Sequence, residues 1–107
     1  DIADSGIAFG MHQSLSRLQM LEGNYRAAAL NLEYVIDLNL PLWGESDPDI
    51  ASAWLMLGEC QIELRQYDEA VETLEKAVEF FANNAEAGSS DLAQAELLLQ
   101  AARAAAI

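Results

Sequence analysis

The side chains best suited to acid–base or nucleophilic chemistry are few and lie far apart in the sequence. His12 is the only histidine and Cys60 the only cysteine. A nucleophile with its base, or a zinc site, needs a second such group nearby, and the sequence offers none. We interpret His12 as a packed structural residue and Cys60, on a predicted helix beside Leu57, as a small buried hydrophobe. The sequence therefore predicts no enzymatic activity, no cofactor and no metal site.

The carboxylates offer a different chemistry, the recognition of a cation. Glu59 and Glu63 are four residues apart and share one face of a predicted helix. Their mutual repulsion costs roughly 0.2–0.5 kcal/mol, which a lysine or arginine of a partner would relieve. Asp47 and Asp49 flank Pro48 without the ligand spacing of a helix–loop–helix calcium site, and helix capping explains them. Glu59 and Glu63 are thus the candidates for binding a basic side chain.

The charge of the chain limits the classes of partner. It carries 18 acidic residues against 5 lysines and arginines, for a net charge of −13. Phosphate recognition needs basic side chains, so we expect no nucleic-acid partner and no membrane partner. The sequence has no leader peptide and no apolar run long enough to span a bilayer, which predicts a cytoplasmic protein by default. Because it begins abruptly at Asp1, we expect it to be a piece of a longer chain.

Helices are expected to position these residues. Alanine, leucine and glutamate, which favour helices, dominate the composition, whereas proline is rare. Ser90 or Asp91 is expected to cap the last helix. For the first helix the pattern predicts a buried stripe made of Ile7, Met11, Leu15, Leu18 and Leu21. Apolar residues recur with helical spacing in five segments, at about 5–22, 25–38, 49–65, 67–81 and 91–105.

The predicted helices form a repeat. Tyr25 and Tyr67 lie in similar segments 42 residues apart, and Asp49 and Asp91 repeat the same offset. A period of this length indicates stacked helical units, each too small to bury its own apolar face. We therefore predict one all-α domain, an antiparallel helix-pair solenoid. Its expected parts are a first repeat at about 5–40, a second repeat at about 49–82 and a capping helix at about 91–105.

The second unit resembles a known family. It contains, at characteristic intervals, Trp54, Leu57, Gly58, Tyr67, Ala70, Leu74 and Ala77. This pattern resembles the tetratricopeptide repeat, in which small residues let helices approach closely. The first unit is more degenerate, since His12 replaces the tryptophan and Ser16 the glycine. The 42-residue period is similar to that of kinesin light chains and of many bacterial scaffolding and regulatory proteins. Trp43 stands where those repeats carry a leucine, and it is expected to fill the gap between units, with an exposed aromatic hot spot as the alternative.

The resemblance implies a non-catalytic domain that binds a protein or peptide in a concave groove, lined by the first helix of each pair. The lining would combine an apolar centre with acidic flanks, which favours a basic or mixed apolar segment as partner. Few bases reach this groove, so a clamp for the acidic tails of chaperones is not expected. The expected partner-binding residues are Gln13, Arg17, Met20, Ser52, Leu55, Glu59, Ile62, Glu63, Gln94 and Leu97.

The sequence leaves two other functions open. The chain could be a structural segment of a longer array, or could self-associate by stacking its first and last helices. It could also be a regulatory module attached to an enzyme. In each case Tyr25 and Tyr67 are interpreted as scaffold residues rather than partner contacts.

Overall fold

The computed structural model describes residues 2–84 and 89–107 of the chain. These residues form five helices and no strand, which confirms the predicted all-α class. In chain order the helices are α1 (Ile2–Leu21), α2 (Tyr25–Trp43), α3 (Pro48–Glu63), α4 (Tyr67–Asn83) and α5 (Ser89–Ala105).

The helices stack in the order in which they follow one another. Each packs against its predecessor, and α3 also touches α1 and α5 along one side of the stack. Turns of three residues join α1 to α2 and α3 to α4, and turns this short leave neighbouring helices antiparallel. The result is two antiparallel helix pairs followed by the single helix α5, which is the solenoid that the sequence predicts.

The two short turns are equivalent, and each contains a residue in the left-handed conformation. Gly23 follows α1 with a φ of 81°, and Arg65, at the same place after α3, has a φ of 63°. In both turns the N–H of the next residue donates to the carbonyl five residues earlier, over 2.8 Å. Glycine adopts this conformation freely, whereas a residue with a Cβ pays roughly 1–2 kcal/mol.

We expect Arg65→Gly to raise the free energy of unfolding by about 1 kcal/mol, because it removes the left-handed strain at an exposed position. Thermal unfolding followed by circular dichroism would show a higher midpoint. Gly23→Ala, the matched change in the other turn, should lower it. A lower or unchanged midpoint for Arg65→Gly would mean that the arginine side chain stabilises the turn by at least as much as its strain costs.

The end of α2 differs from the predicted one. The helix continues through Pro41 to Trp43 and ends at Gly44, whose φ is 82° and whose N–H donates to the carbonyl of Leu40 over 2.8 Å. Proline removes one helical hydrogen bond, but Pro41 is exposed, so water can reach the carbonyl that lacks its partner. The predicted end near residue 38 is therefore wrong.

The predicted cap of α3 is confirmed, whereas the predicted caps of α5 are wrong. The carboxylate of Asp47 accepts a hydrogen bond from the N–H of Asp49 over 2.8 Å, and Pro48 occupies the first helical position, as capping predicts. α5 begins at Ser89, before the predicted caps. Ser90 and Asp91 therefore lie inside its first turn and do not cap it.

The second pair has the core that the repeat pattern predicts. Trp54, Leu57 and Leu74 are buried, and so is Gly58. In α1 the equivalent of this glycine is Ser16, which is also fully buried. Its hydroxyl donates to the carbonyl of His12 over 2.8 Å, so the small polar side chain is satisfied within its own helix.

The predicted buried stripe of α1 is wrong. Among residues 8–21 of this helix Phe9 and Ser16 are buried, whereas four predicted members are exposed: Met11, Leu15, Leu18 and Leu21. The side chain of Ile7 lies outside the described residues. Leu15 does share the helical phase of the buried Leu57, but α3 packs against a helix on either side, α2 and α4. Among the described residues no helix precedes α1.

Two aromatic contacts hold α1 against α2. The rings of Phe9 and Trp43 pack with their centroids 5.1 Å apart. This contact lies within the first pair, whereas the sequence predicts that Trp43 lies between units. His12 donates from Nδ1 to Oδ1 of Asn31 over 2.6 Å and meets the ring of Tyr34 edge-on, which confirms its structural role.

Candidate functional site

One side of the array contains an open cavity of about 390 Å³, which we call the groove. It lies where α1, α3 and α5 run side by side, and the first residue of α2 borders it. A cavity of this size accommodates a few side chains of a bound segment. The groove is lined by Arg17, Met20, Leu21, Tyr25, Ser52, Leu55, Met56, Glu59, Asp91 and Gln94.

Most of the predicted partner-binding residues lie together in this groove. Of the ten predicted residues, six line it and four do not. Gln13 lies beside it, Ile62 packs partly buried against the core, and Glu63 and Leu97 are exposed elsewhere on α3 and α5. Those that line it are Arg17, Met20, Ser52, Leu55, Glu59 and Gln94.

Four residues of the groove are absent from the predicted set. The sequence places Leu21 in the buried stripe of α1, Tyr25 in the scaffold and Asp91 at a helix cap. In the structure all three line the groove, Asp91 from the first turn of α5. Met56 follows Ser52 by four residues, so the helical spacing from an already predicted residue is the signal that could identify it.

A polar contact joins α1 to α3 at the edge of the groove. Gln13 donates from Nε2 to Oγ of Ser52 over 3.0 Å and approaches the sulfur of Met56 at 3.6 Å. The guanidinium of Arg17 lies 3.9 Å from the same sulfur, which is a weak acceptor. Since Arg17 forms no ion pair within the described residues, most of its donors face solvent and are available to a partner.

Glu59 contributes a partly buried carboxylate to the groove. Partial burial raises its pKa, and the charge of Glu63, one turn further along α3, raises it further. Within the described residues no basic side chain forms an ion pair with Glu59. A desolvated carboxylate without a counter-charge gains more from an incoming cation than an exposed one does.

Cys60, the neighbour of Glu59, is not a nucleophile in this setting. The thiol is buried, and burial raises its pKa to about 12, with a further contribution from Glu59. At neutral pH it is therefore protonated, whereas a reactive cysteine needs its thiolate. This agrees with its interpretation as a small buried hydrophobe.

Comparison with known proteins gives one match. A family model described as Tetratricopeptide repeat matches residues 19–90, which include all of α2, α3 and α4. No curated protein and no solved structure gives a significant match to the chain. In the described ranges, 2–84 and 89–107, no helix combines the length and the apolar character needed to cross a membrane.

Proposed function

The chain belongs to the tetratricopeptide repeat family, and we propose that it binds a protein segment, without catalysis, in the groove between α1, α3 and α5. Repeats of this family generally mediate protein–protein interaction and are generally non-catalytic. The single observation that carries the proposal is that six of the ten partner-binding residues predicted from the sequence line one cavity on the side formed by the first helices.

The charges of the groove favour a segment that carries a lysine or arginine. Glu59 and Asp91 line the groove from α3 and α5, and Glu63 lies one turn beyond Glu59. The two carboxylates that line the cavity would attract a cation, which would also offset the cost of burying Glu59.

The apolar lining favours a large aliphatic side chain next to that cation. Leu55 is buried at the base of the groove, and Met20 and Met56 are half-buried beside it. Methionine side chains adapt to ligands of different shape, so this part of the groove can accept several apolar residues. A segment that combines leucine-like and basic residues fits both parts.

We also assign the repeats to the 42-residue type found in kinesin light chains. Two equivalences support it: Gly23 corresponds to Arg65 in the turns, and Ser16 corresponds to Gly58 in the core, each pair 42 residues apart. The helices, between 16 and 20 residues long, account for the length of the unit. In that type of repeat the concave face is the expected binding surface.

Three sets of labelled peptides of equal length test the proposal by fluorescence anisotropy. One set combines leucine with lysine, one leucine with glutamate, and one lysine with serine. We expect the leucine–lysine set alone to bind in the micromolar range. Glu59→Gln combined with Glu63→Gln should weaken this binding about ten-fold, because it removes the local charge without changing side-chain size. The matched control is Glu69→Gln with Glu72→Gln on the exposed face of α4, which should change affinity less than about two-fold.

The pH provides an independent readout. As the pH falls through the raised pKa of Glu59, the carboxylate is protonated and binding of the leucine–lysine peptides should weaken. The Glu59→Gln, Glu63→Gln variant should lack this dependence. Equal binding of all three peptide sets would contradict recognition by the groove. An equal loss in the control variant would contradict it as well and would indicate attraction by net charge alone.

A further inference from the structure

The groove carries a base as well as acids, and the two kinds of charge lie on different helices. Arg17 lines it from α1, whereas Glu59 and Asp91 line it from α3 and α5. Building on the function proposed above, we infer that the bound segment carries an acidic residue for Arg17 in addition to its aliphatic residue and its base. Arg17 is then a specificity-determining residue of the groove.

The charge changes sign at equivalent positions of the repeat. Arg17 and Glu59 are 42 residues apart, so each occupies the same place on the first helix of its pair. In the described part of the chain α3 contacts both α1 and α5, whereas α1 and α5 do not contact each other. The three helices therefore follow one another across the groove, and a segment that crosses them meets a positive charge on α1 and negative charges on α3 and α5.

Neither charge is matched within its own helix. No acidic residue stands three or four positions from Arg17, which are the helical distances at which side chains can pair. Around Glu59 the same distances contain no base and one further acid, Glu63. Both charges therefore need a partner from outside their helix. The neighbours of Arg17 at these distances are Gln13, Ser14, Met20 and Leu21.

The guanidinium of Arg17 reaches towards α3, over the groove. It lies 3.9 Å from the sulfur of Met56 and forms no ion pair with any described residue, Glu59 included. A guanidinium offers several N–H donors in a planar fork, and a thioether sulfur is a weak acceptor, so most of these donors are unused. A carboxylate accepts from two of them side by side, which makes it the ligand that fits this fork best.

The other bases of the chain lie outside the groove. Lys76 and Arg103 are on α4 and α5, where Arg103 pairs with Glu75 over 2.9 Å. Arg26 and Arg65 are exposed, and neither lines the cavity. An acidic side chain in the groove therefore meets its base on the α1 side, which fixes the place of the acid relative to the rest of the segment.

An extended segment can place all three kinds of side chain in the groove at once. Alternate residues of an extended chain point to the same side, so positions i, i+2 and i+4 face the groove together. These positions span about 14 Å, whereas packed helices lie about 8–10 Å apart, so the segment reaches from α1 beyond α3. We expect an acid opposite Arg17, an aliphatic residue over Leu55 and a base opposite Glu59.

The net charge of the chain makes the sign of the effect diagnostic. Because the chain carries a charge of −13, an added carboxylate on a peptide weakens the attraction between the peptide and the chain as a whole. A contact with Arg17 has the opposite effect. An acidic residue that tightens binding is thus evidence of a local contact and not of attraction by net charge.

Two peptides that differ in one residue test this inference by fluorescence anisotropy. Both carry leucine and, two positions later, lysine, and the residue two positions before the leucine is glutamate in one and glutamine in the other. We expect the glutamate peptide to bind about five-fold more tightly. Arg17→Gln should reduce this difference to less than about two-fold. Arg26→Gln, the matched control, changes the net charge equally at an exposed position of α2 and should preserve the difference. Circular dichroism checks that both variants keep their helical content.

The outcomes separate this inference from the proposed function. If the two peptides bind equally and Glu59→Gln with Glu63→Gln weakens both, the groove binds a basic segment without an acid on Arg17, and this inference alone is overturned. If neither peptide binds, the proposed function fails and the inference fails with it. A preference for glutamate that persists in Arg17→Gln, or that Arg26→Gln removes as well, overturns the assignment to Arg17.

Discussion

Gly58→Ala is expected to lower the free energy of unfolding by about 3 kcal/mol, although it adds a single methyl group. A Cβ at this position would lie 2.4 Å from Cδ2 and 2.5 Å from Cγ of Leu74. Cγ is the branch point of the leucine side chain, and Leu74 is fully buried, so a change of rotamer cannot clear the overlap. α3 and α4 would have to move apart, and the close packing of the second pair would be lost.

The partner of this clash can be removed, which turns the prediction into a double-mutant cycle. Leu74→Ala alone should cost about 2–5 kcal/mol through the cavity that it leaves. In that background Gly58→Ala should cost little, because the new methyl group occupies part of the cavity. Gly10→Ala is the matched control, since nothing lies within 4 Å of the position that a Cβ would take there and alanine favours a helix by about 0.5–1 kcal/mol over glycine.

Urea unfolding of the four chains of the cycle and of the control gives the coupling energy. If the losses caused by Gly58→Ala and by Leu74→Ala simply added in the double variant, α3 and α4 would not be held at the spacing described. The same spacing also matters for binding, because Leu55 and Glu59, which line the groove, lie next to Gly58 on α3. A folded variant in which α3 and α4 have moved apart should therefore bind the leucine–lysine peptides more weakly.

The second unit was predictable because its fold-determining residues are close in sequence and appear in the order of the repeat pattern. Trp54, Gly58 and Leu74 each occupy the position that the pattern assigns, and each is buried. Turns were predictable for the same reason, with the exception of Arg65, whose left-handed conformation is unusual for its residue type. Nothing in the local sequence marks it except its equivalence to Gly23.

The first unit was less predictable because burial there depends on which neighbours are present. Met11 and Leu18 have the same spacing as buried residues of α3, and periodicity alone cannot tell a covered stripe from an open one. The residues of the groove could also be predicted only in part from periodicity. Residues on the first helices could be placed on one face from spacing, but Tyr25 reaches the groove from the start of α2, which depends on how the pairs stack.

Phe9→Ala provides the sharpest test of this corrected register and should cost about 3–5 kcal/mol. The phenyl ring is 2% exposed, packs on Trp43 and is the largest fully buried side chain of the described residues. Removing it leaves a cavity between the ends of α1 and α2 that alanine and the rigid indole cannot fill. Urea unfolding of the variant and of the wild-type chain measures the loss.

Leu21→Ala is the matched control for Phe9→Ala, because the sequence places Leu21 in the buried stripe whereas the structure leaves it exposed at the groove. It should change the free energy of unfolding by less than about 0.5 kcal/mol. If Leu21→Ala were the costlier change, α1 would be rotated from the orientation described, and the groove would have to be assigned to other residues.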